Sequence, residues 1–398
     1  MKYDCDILIS GGGIAGLTAA AAFGTAGFDV ICVDPAPPVM ERNATGADMR
    51  STAMLQPARA VLENGGVWEA LAPYAAPLQI MRVIDAGGEI EEPRITRDFN
   101  AAELSEQPFG WNFPNWLLRR ELVERLKALK NVDFRPGTGT TALFTRTASA
   151  KVTLSDGCKI TTRLLIAADG RNSPMRQAAG IDVHTRRYGQ KALAFAVTHP
   201  VPHDNVSTEI HRTGGPFTLV PLPDHQGMPS SAIVWMDNAA ATKRRAELDV
   251  PTFEAEMSER SCHILGPLTL VSPRNLWPII SQHAERLSGE RIALIAEAAH
   301  VMPPIGAQGL NMSLKDLASL LELAEANRET LGDTKMLEGY HKARYSDVQL
   351  RVKGIDLLNR VSQASHPLAR DARAKGLNAL YAMAPVRKML MQMGLGAK

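Results

Sequence analysis

Residues 7–20 read ILISGGGIAGLTAA. The apolar run Ile7–Ile9 stops at glycines, and alanine-rich Leu17–Phe23 follows, so the chain passes from strand to helix through a glycine turn. Gly11, Gly13 and Gly16 match G-x-G-x-x-G. The first glycine suits a tight turn, the second the close approach of a pyrophosphate, and the third the packing of helix on strand. The helix start, worth about half a positive charge, would face the phosphates. A second strand, Val30–Val33, ends in Asp34, at the spacing where an acid accepts hydrogen bonds from ribose hydroxyls. The order strand, turn, helix, strand, acid predicts a bound dinucleotide, with NAD and FAD both open at this point.

A chain of 398 residues exceeds one small core and implies two domains, or one with a large insertion. Forty-four Lys and Arg against 42 Asp and Glu create no field for nucleic acid. Cys5, Cys32, Cys158 and Cys262 are scattered, with no metal-ligand spacing, so no metal site and a reduced, cytoplasmic setting are expected. Cys5 and Cys32 fall on or beside the first two strands and read as small core residues. Asp4 and Asp6 precede a very short apolar run, which suits neither a signal peptide nor an anchor. No apolar run reaches the length of a membrane span.

Three regions follow from texture. Residues 1–75, 112–180 and 285–345 form a discontinuous nucleotide-binding domain. Residues 76–111 and 181–284 form a substrate domain, and 346–398 a helical C-terminal region. Residues 76–112 read as irregular, ending in the aromatic cluster Phe109, Trp111, Phe113, Trp116, which suits core or interface packing. Ser155-Asp156-Gly157 is a hairpin turn. KALAFAVTH, PFTLVPL and SSAIVWM alternate as strands of a mainly antiparallel sheet. RIALIAEAAH is a buried strand, followed by a Pro/Gly loop and a helix over Asn311–Ala326. The expected fold is α/β: a Rossmann-type domain with an inserted antiparallel sheet and a helical C-terminus.

Two later motifs bear on the cofactor. LLIAADGRNSPMR (164–176) and RIALIAEAAHVMPPIGAQGLN (291–311) each place a buried strand before a glycine-containing turn. With the N-terminal fingerprint, this ordered set resembles the single-component flavin-dependent aromatic hydroxylases, the class A flavoprotein monooxygenases, over nearly the whole chain. The resemblance implies FAD as resident cofactor and NADH or NADPH as transient co-substrate. It places Gly11, Gly13 and Gly16 at the pyrophosphate, Asp34 at the adenosine ribose, Asp169 near the pyrophosphate, and Arg50 and Arg119 beside the cofactor. Pro304, Gly306, Gln308, Gly309, Leu310 and Asn311 would lie against the isoalloxazine ring. Backbone N–H groups at Leu310-Asn311 would then stabilise charge on the reduced flavin. One position departs from the family: Gly-Asp before Ala-Ala-His is here Ala296-Glu297. Glu297 would hold a ribityl hydroxyl from a carboxylate extended by about 1.5 Å.

The resemblance further implies that O2 is activated on reduced flavin and one oxygen atom passes to an electron-rich ring. A phenol needs a proton acceptor nearby, and no catalytic residue is assigned. His211 and Tyr188 are candidates that read as structural, as does His300 after its buried strand. FTLVPL, SAIVW, PPIGAQGLNMSLKDLA and the tail 367–396 resemble the ubiquinone-biosynthesis branch, whose substrates are polyprenylated phenols. The tail carries Leu377, Leu380, Tyr381, Met389, Leu390 and Met393 among Arg370, Arg373, Lys375, Arg387 and Lys388. That composition suits peripheral contact with the inner face of a membrane, or with a biosynthetic complex; the alternative is a closing helix packed on the nucleotide domain. Two other functions stay open: a hydroxylase of soluble phenolic compounds, and a non-catalytic FAD-binding subunit, which Ala296-Glu297 makes conceivable.

Overall fold

The computed structural model describes residues 2–42, 44–48, 50–88, 92–364 and 366–395. Its first sheet holds five adjacent parallel strands, Val132–Pro136 beside Val30–Asp34 and four that carry the site. Cys5–Ser10 lies between Val30–Asp34 and Lys159–Ala167, and Ile292–Leu294 adds beyond the latter. Ile7, Leu8, Ile9, Leu164, Leu165 and Ile166 are fully buried, the unbroken apolar run expected of strands covered on both faces. Ser10 pairs with Ala167 and Val33, and Ala167 with Leu294. The four strands therefore end at one level, and the loops after them gather along one edge.

The first helix is Ile14–Thr25, longer at both ends than the alanine-rich stretch alone indicates. Nearly every residue on it is buried; small side chains let it sit beside the helices Asn115–Ala128 and Gln308–Ala326. The turn at Gly157 has φ +86°, between strands Ser149–Leu154 and Lys159–Ala167.

The second sheet centres on the long strand Val183–Thr198, flanked antiparallel by Asn275–Ala284 and Met228–Asn238. Pro216–His225 and Val206–His211 continue it. Residues 76–112 are not irregular, as their composition predicted. Ile80–Asp85 pairs in parallel with Val206–His211 and antiparallel with Ile95–Asn100. Half-buried strands closed by a cross-strand ion pair, Arg82–Asp98 at 2.7 Å, show no clean alternation of apolar and polar residues. The region 181–284 also holds two unexpected helices, Ala239–Glu247 and Val250–Arg260, capped by the side chains of Asn238 and Asp249.

Phe109, Trp111 and Phe113 are buried, and Trp68 meets Trp111 and Phe113 edge-on at 5.1 and 6.0 Å. Trp116 is partly buried against the same core. The chain ends in helices Thr334–Ser362, Pro367–Ala382 and Ala384–Leu395. The last two pack on the Ile80–Asn100 strand pair rather than closing on the nucleotide domain. Arg373 pairs with Asp85 and Arg387 with Glu103, both at 2.8 Å, and Met391 is buried in a small cluster with Ala101 and Phe109. Among the described residues, no helix is long and apolar enough to cross a membrane.

Candidate active site

The three fingerprint glycines have three different surroundings. Gly11 has φ +110°, and a Cβ there would lie 2.3 Å from the Ala168 carbonyl oxygen. At Gly16 a Cβ would lie 1.8 Å from the Gly11 carbonyl oxygen, so only glycine lets the helix meet the loop. A Cβ on Gly13 meets nothing within 4 Å. Gly13 also precedes the first helical residue, Ile14, and no side chain caps this helix start. Its free N–H groups and open space make a cradle for an anion.

Asp34 ends the second strand beside this loop. Its Oδ2 accepts the Gly12 N–H at 2.6 Å and its Oδ1 the Ala36 N–H at 2.8 Å. A carboxylate keeps further lone pairs after two such bonds, enough to receive ribose hydroxyls. Asp169, at the end of the neighbouring strand, accepts from the Met175 N–H at 3.2 Å. Its Oδ1 is buried without a hydrogen-bond partner, and burial pushes its carboxyl above the usual range. An orphaned acceptor next to an open glycine cradle fits a ligand that brings hydroxyl donors.

Arg50 and Arg119 come together through a residue that sequence reasoning missed. Asp48, itself buried, takes a two-pronged hydrogen bond from Arg50 at 2.8 and 2.7 Å, and Arg119 approaches it at 3.6 Å. Asn115 donates to it at 3.0 Å. Burial alone would raise the Asp48 carboxyl, but Arg50, Asn115 and Arg119 hold it below the usual range. The Arg50 guanidinium also covers the Trp277 ring at 4.1 Å. Asp48 stands two residues before Arg50, and an acid so close to a cofactor-side arginine was the available signal.

The loop after Ile292–Leu294 is built on left-handed backbone: Ala296 and Ala307 both have φ +55°, and Gly306 φ +63°. Ala296 thus occupies, with a Cβ, the conformation that glycine adopts at lowest cost. Glu297 is exposed and faces Arg50 only through charge attraction. The helix begins at Gln308, three residues earlier than its sequence signals indicate. Its unbonded N–H groups are those of residues 307–310, so Leu310 offers one and Asn311 does not. The Asn311 side chain instead clamps a strand: Oδ1 accepts the Leu55 N–H at 2.8 Å, and Nδ2 donates to the Ala53 carbonyl at 2.6 Å. Gln308 is buried, donates to the Gly306 carbonyl and accepts from Arg351 at 2.7 Å. Pro304 and Gly309 are exposed.

The other titratable candidates are tied down. His300 Nε2 lies 2.5 Å from Asp316, whose other oxygen accepts from Arg344 at 2.7 Å, all three buried. His211 meets Glu209 at 2.8 Å. The Tyr188 hydroxyl donates to Asp356 at 2.7 Å, and burial first, then that carboxylate, pushes its pKa up to about 12. Burial pushes the Cys5 and Cys32 thiols up as well. No metal-binding cluster occurs among the described residues. A cleft of about 350 Å³ opens beside the Asp169 loop, lined by Arg171, Arg176, Arg187, Gln177 and Gln282. Arg176 is buried there with its Nε unpartnered. Arg171 and Arg176 belong to the 164–176 motif, and Arg187 joins them from the Val183–Thr198 strand.

Parallel strands that end at one level, with an anion cradle and an orphaned carboxylate at that edge, form the usual crevice for a nucleotide cofactor. Residues 4–353 match the FAD binding domain family. Ubiquinone hydroxylase UbiL of Rhodospirillum rubrum is 32% identical over 98% of this chain and 89% of its own. The 3-demethoxyubiquinol 3-hydroxylase of Escherichia coli is 26% identical over 98% of both chains. Among solved structures, p-nitrophenol 4-monooxygenase PnpA of Pseudomonas putida superposes with a TM-score of 0.79 over all of both chains at 18% identity. PqsL of Pseudomonas aeruginosa does so with 0.77 over 92% of this chain and 98% of its own, at 22% identity. The chain belongs to the FAD binding domain family and is a flavin-dependent monooxygenase of aromatic rings, in the branch of the ubiquinone-biosynthesis hydroxylases.

Proposed function

We propose that this enzyme hydroxylates a polyprenylated phenol of ubiquinone biosynthesis, using FAD, O2 and NADH or NADPH. The observation that carries this reading is the similarity to a ubiquinone hydroxylase over 98% of the chain. Bound FAD supplies dioxygen reduction and delivery of one oxygen atom to the ring. The chain's own residues do the holding. Gly13 and the start of its helix receive the pyrophosphate, Asp34 the adenosine ribose, and Asp169 lies near the pyrophosphate. Glu297 holds a ribityl hydroxyl. Arg50 and Arg119, fixed by Asp48, stand beside the cofactor, and the 304–310 loop presents its free N–H groups to the ring edge where negative charge gathers. Asn311 acts through position, pinning the 51–55 strand to that loop.

The basic cleft of Arg171, Arg176 and Arg187 suits the phosphates of NADH or NADPH. Tyr188 cannot be the base for the phenol at neutral pH, because its hydroxyl is held protonated against Asp356. The test is oxygen- and NAD(P)H-dependent hydroxylation of matched long- and short-tailed phenols, with a quinone-pathway metabolite profile after gene deletion. Preference for soluble phenolic acids, without any quinone intermediate accumulating, would support the soluble-substrate alternative. Flavin binding without oxygen consumption would leave a non-catalytic subunit.

A further inference from the structure

The second half of the Thr334–Ser362 helix is apolar on two opposite sides. Inward, Val348, Val352 and Ile355 are buried, and Asn359 donates to Gln190 at 2.9 Å. Outward, Leu350, Leu357, Leu358 and Val361 are 62, 63, 53 and 41% exposed. Leu350, Gly354, Leu357 and Val361 follow the i, i+4, i+7, i+11 spacing of one helix face. Leu368, in the first turn of the next helix, is 73% exposed. A surface helix ordinarily turns polar residues outward, and an apolar row in that place marks an interaction surface.

The charge around this row is mainly positive, and Asp347 beside Leu350 is paired with Lys315, Arg344 and Arg351. Residues 348–398 hold nine lysines and arginines against two aspartates, in a chain whose totals are 44 and 42. Both aspartates are paired: Asp356 with Arg186 and Arg360 at 3.2 and 2.7 Å, Asp371 with Arg94 at 2.7 Å. By helical spacing Lys353 and Arg360 border the row on one side, and Lys353 is exposed. A second copy docked through the same face would bring two basic rims together. An anionic bilayer offers the complement, acyl chains for the leucines and headgroup phosphates for the rim.

We infer that the Leu350–Val361 face, continued at Leu368, docks this enzyme on an anionic phospholipid surface. The inference rests on the membrane-borne substrate proposed above and locates the contact upstream of the 377–396 tail. The test is co-sedimentation of the full-length, FAD-loaded enzyme with phosphatidylcholine vesicles, with and without phosphatidylglycerol. The parent should bind only the anionic vesicles, and less as salt is added. Leu357→Ser/Leu358→Ser/Val361→Ser should weaken binding by about tenfold or more, and Lys353→Glu, a change of two charges, by about fivefold or more. Flavin absorbance and turnover of a short-tailed phenol should stay unchanged in both. Should the triple variant misfold, Lys353→Glu decides. A parent that ignores anionic vesicles, or variants that bind them as well as the parent, overturns the inference. So does a triple variant that turns a dimer into a monomer by light scattering while vesicle binding persists. An enzyme that binds vesicles through this face yet hydroxylates only soluble phenols keeps the docking surface and loses the substrate assignment.

Discussion

The fingerprint glycines divide by what a side chain would strike. Gly13→Val adds atoms to open space, so the protein should fold with unchanged stability and lose its flavin absorbance. Gly16→Ala drives a Cβ against the Gly11 carbonyl and should destabilise the fold itself, seen as a lower urea midpoint without added FAD. A folded Gly13→Val protein with full flavin content would refute the proposed pyrophosphate position. Asp48→Asn should cost about 1–3 kcal/mol, the price of a lost charge-assisted hydrogen bond. Its carboxyl is held below the usual range, so its contribution is present above about pH 4 and is lost as pH falls through the folded value. Parent and variant urea midpoints should differ at neutral pH and converge in acid. At the neighbouring loop, Ala296→Gly should stabilise by about 1 kcal/mol, because the left-handed φ of +55° penalises a Cβ. Glu297→Ala should weaken FAD binding by about 1–3 kcal/mol, the usual cost of a lost hydrogen bond, whereas Glu297→Asp retains it; flavin fluorescence titration separates the two. The residue types at these sites were legible because strand, glycine turn and acid recur in fixed order. Asp48 was legible only as an acid two residues before Arg50; its link to Arg119 is made by folding.

Elements show the same division between local and distant causes. Cys5–Ser10, Val30–Asp34 and Lys159–Ala167 were legible as short apolar runs ending near glycine or aspartate, and the strands of residues 181–284 as alternating ones. In RIALIAEAAH the parallel strand covers only Ile292–Leu294, because Ala296–Ala299 turns into a short helix after left-handed Ala296. The strands Ile80–Asp85 and Ile95–Asn100 were not, because their stability comes from partners far along the chain: Val206–His211 on one side and the C-terminal helices on the other. The Gln308–Ala326 helix was placed too late, since its first turn carries no side-chain cap and begins after left-handed Ala307. That helix holds the buried Asp316, which joins His300 to Arg344. Replacing Asp316 by Ala strands His300 in the interior and leaves Arg344 with only Asp347 among the described residues, at 2.8 Å, and should cost about 3–5 kcal/mol, measured as a shift in urea midpoint. A loss below about 1 kcal/mol, the range of surface ion pairs, would mean that water reaches the cluster.

For the whole molecule, the last two helices are the part whose placement decides most about function, since they lie on the Ile80–Asn100 strand pair of the second sheet. Met389 and Leu390 are 49 and 41% exposed, whereas Met391 between them is 2% exposed against Ala101 and Phe109; the side chain of Met393 lies outside the described residues. The three neighbours should therefore respond in opposite ways. Met389→Ser/Leu390→Ser removes far less packing than Met391→Ala and should leave thermal unfolding and flavin content nearly where they are. Met391→Ala empties a contact in a small cluster and should cost about 2 kcal/mol, the lower end for a buried methionine. Because that cluster is separate from the main core, the loss should appear first as local opening. Limited proteolysis should release the last helix of the Met391→Ala protein while the flavin-binding domain stays intact and yellow. Simultaneous loss of flavin would mean that the tail and the cofactor domain unfold as one unit, and the C-terminal helices would then belong to the scaffold of the active site.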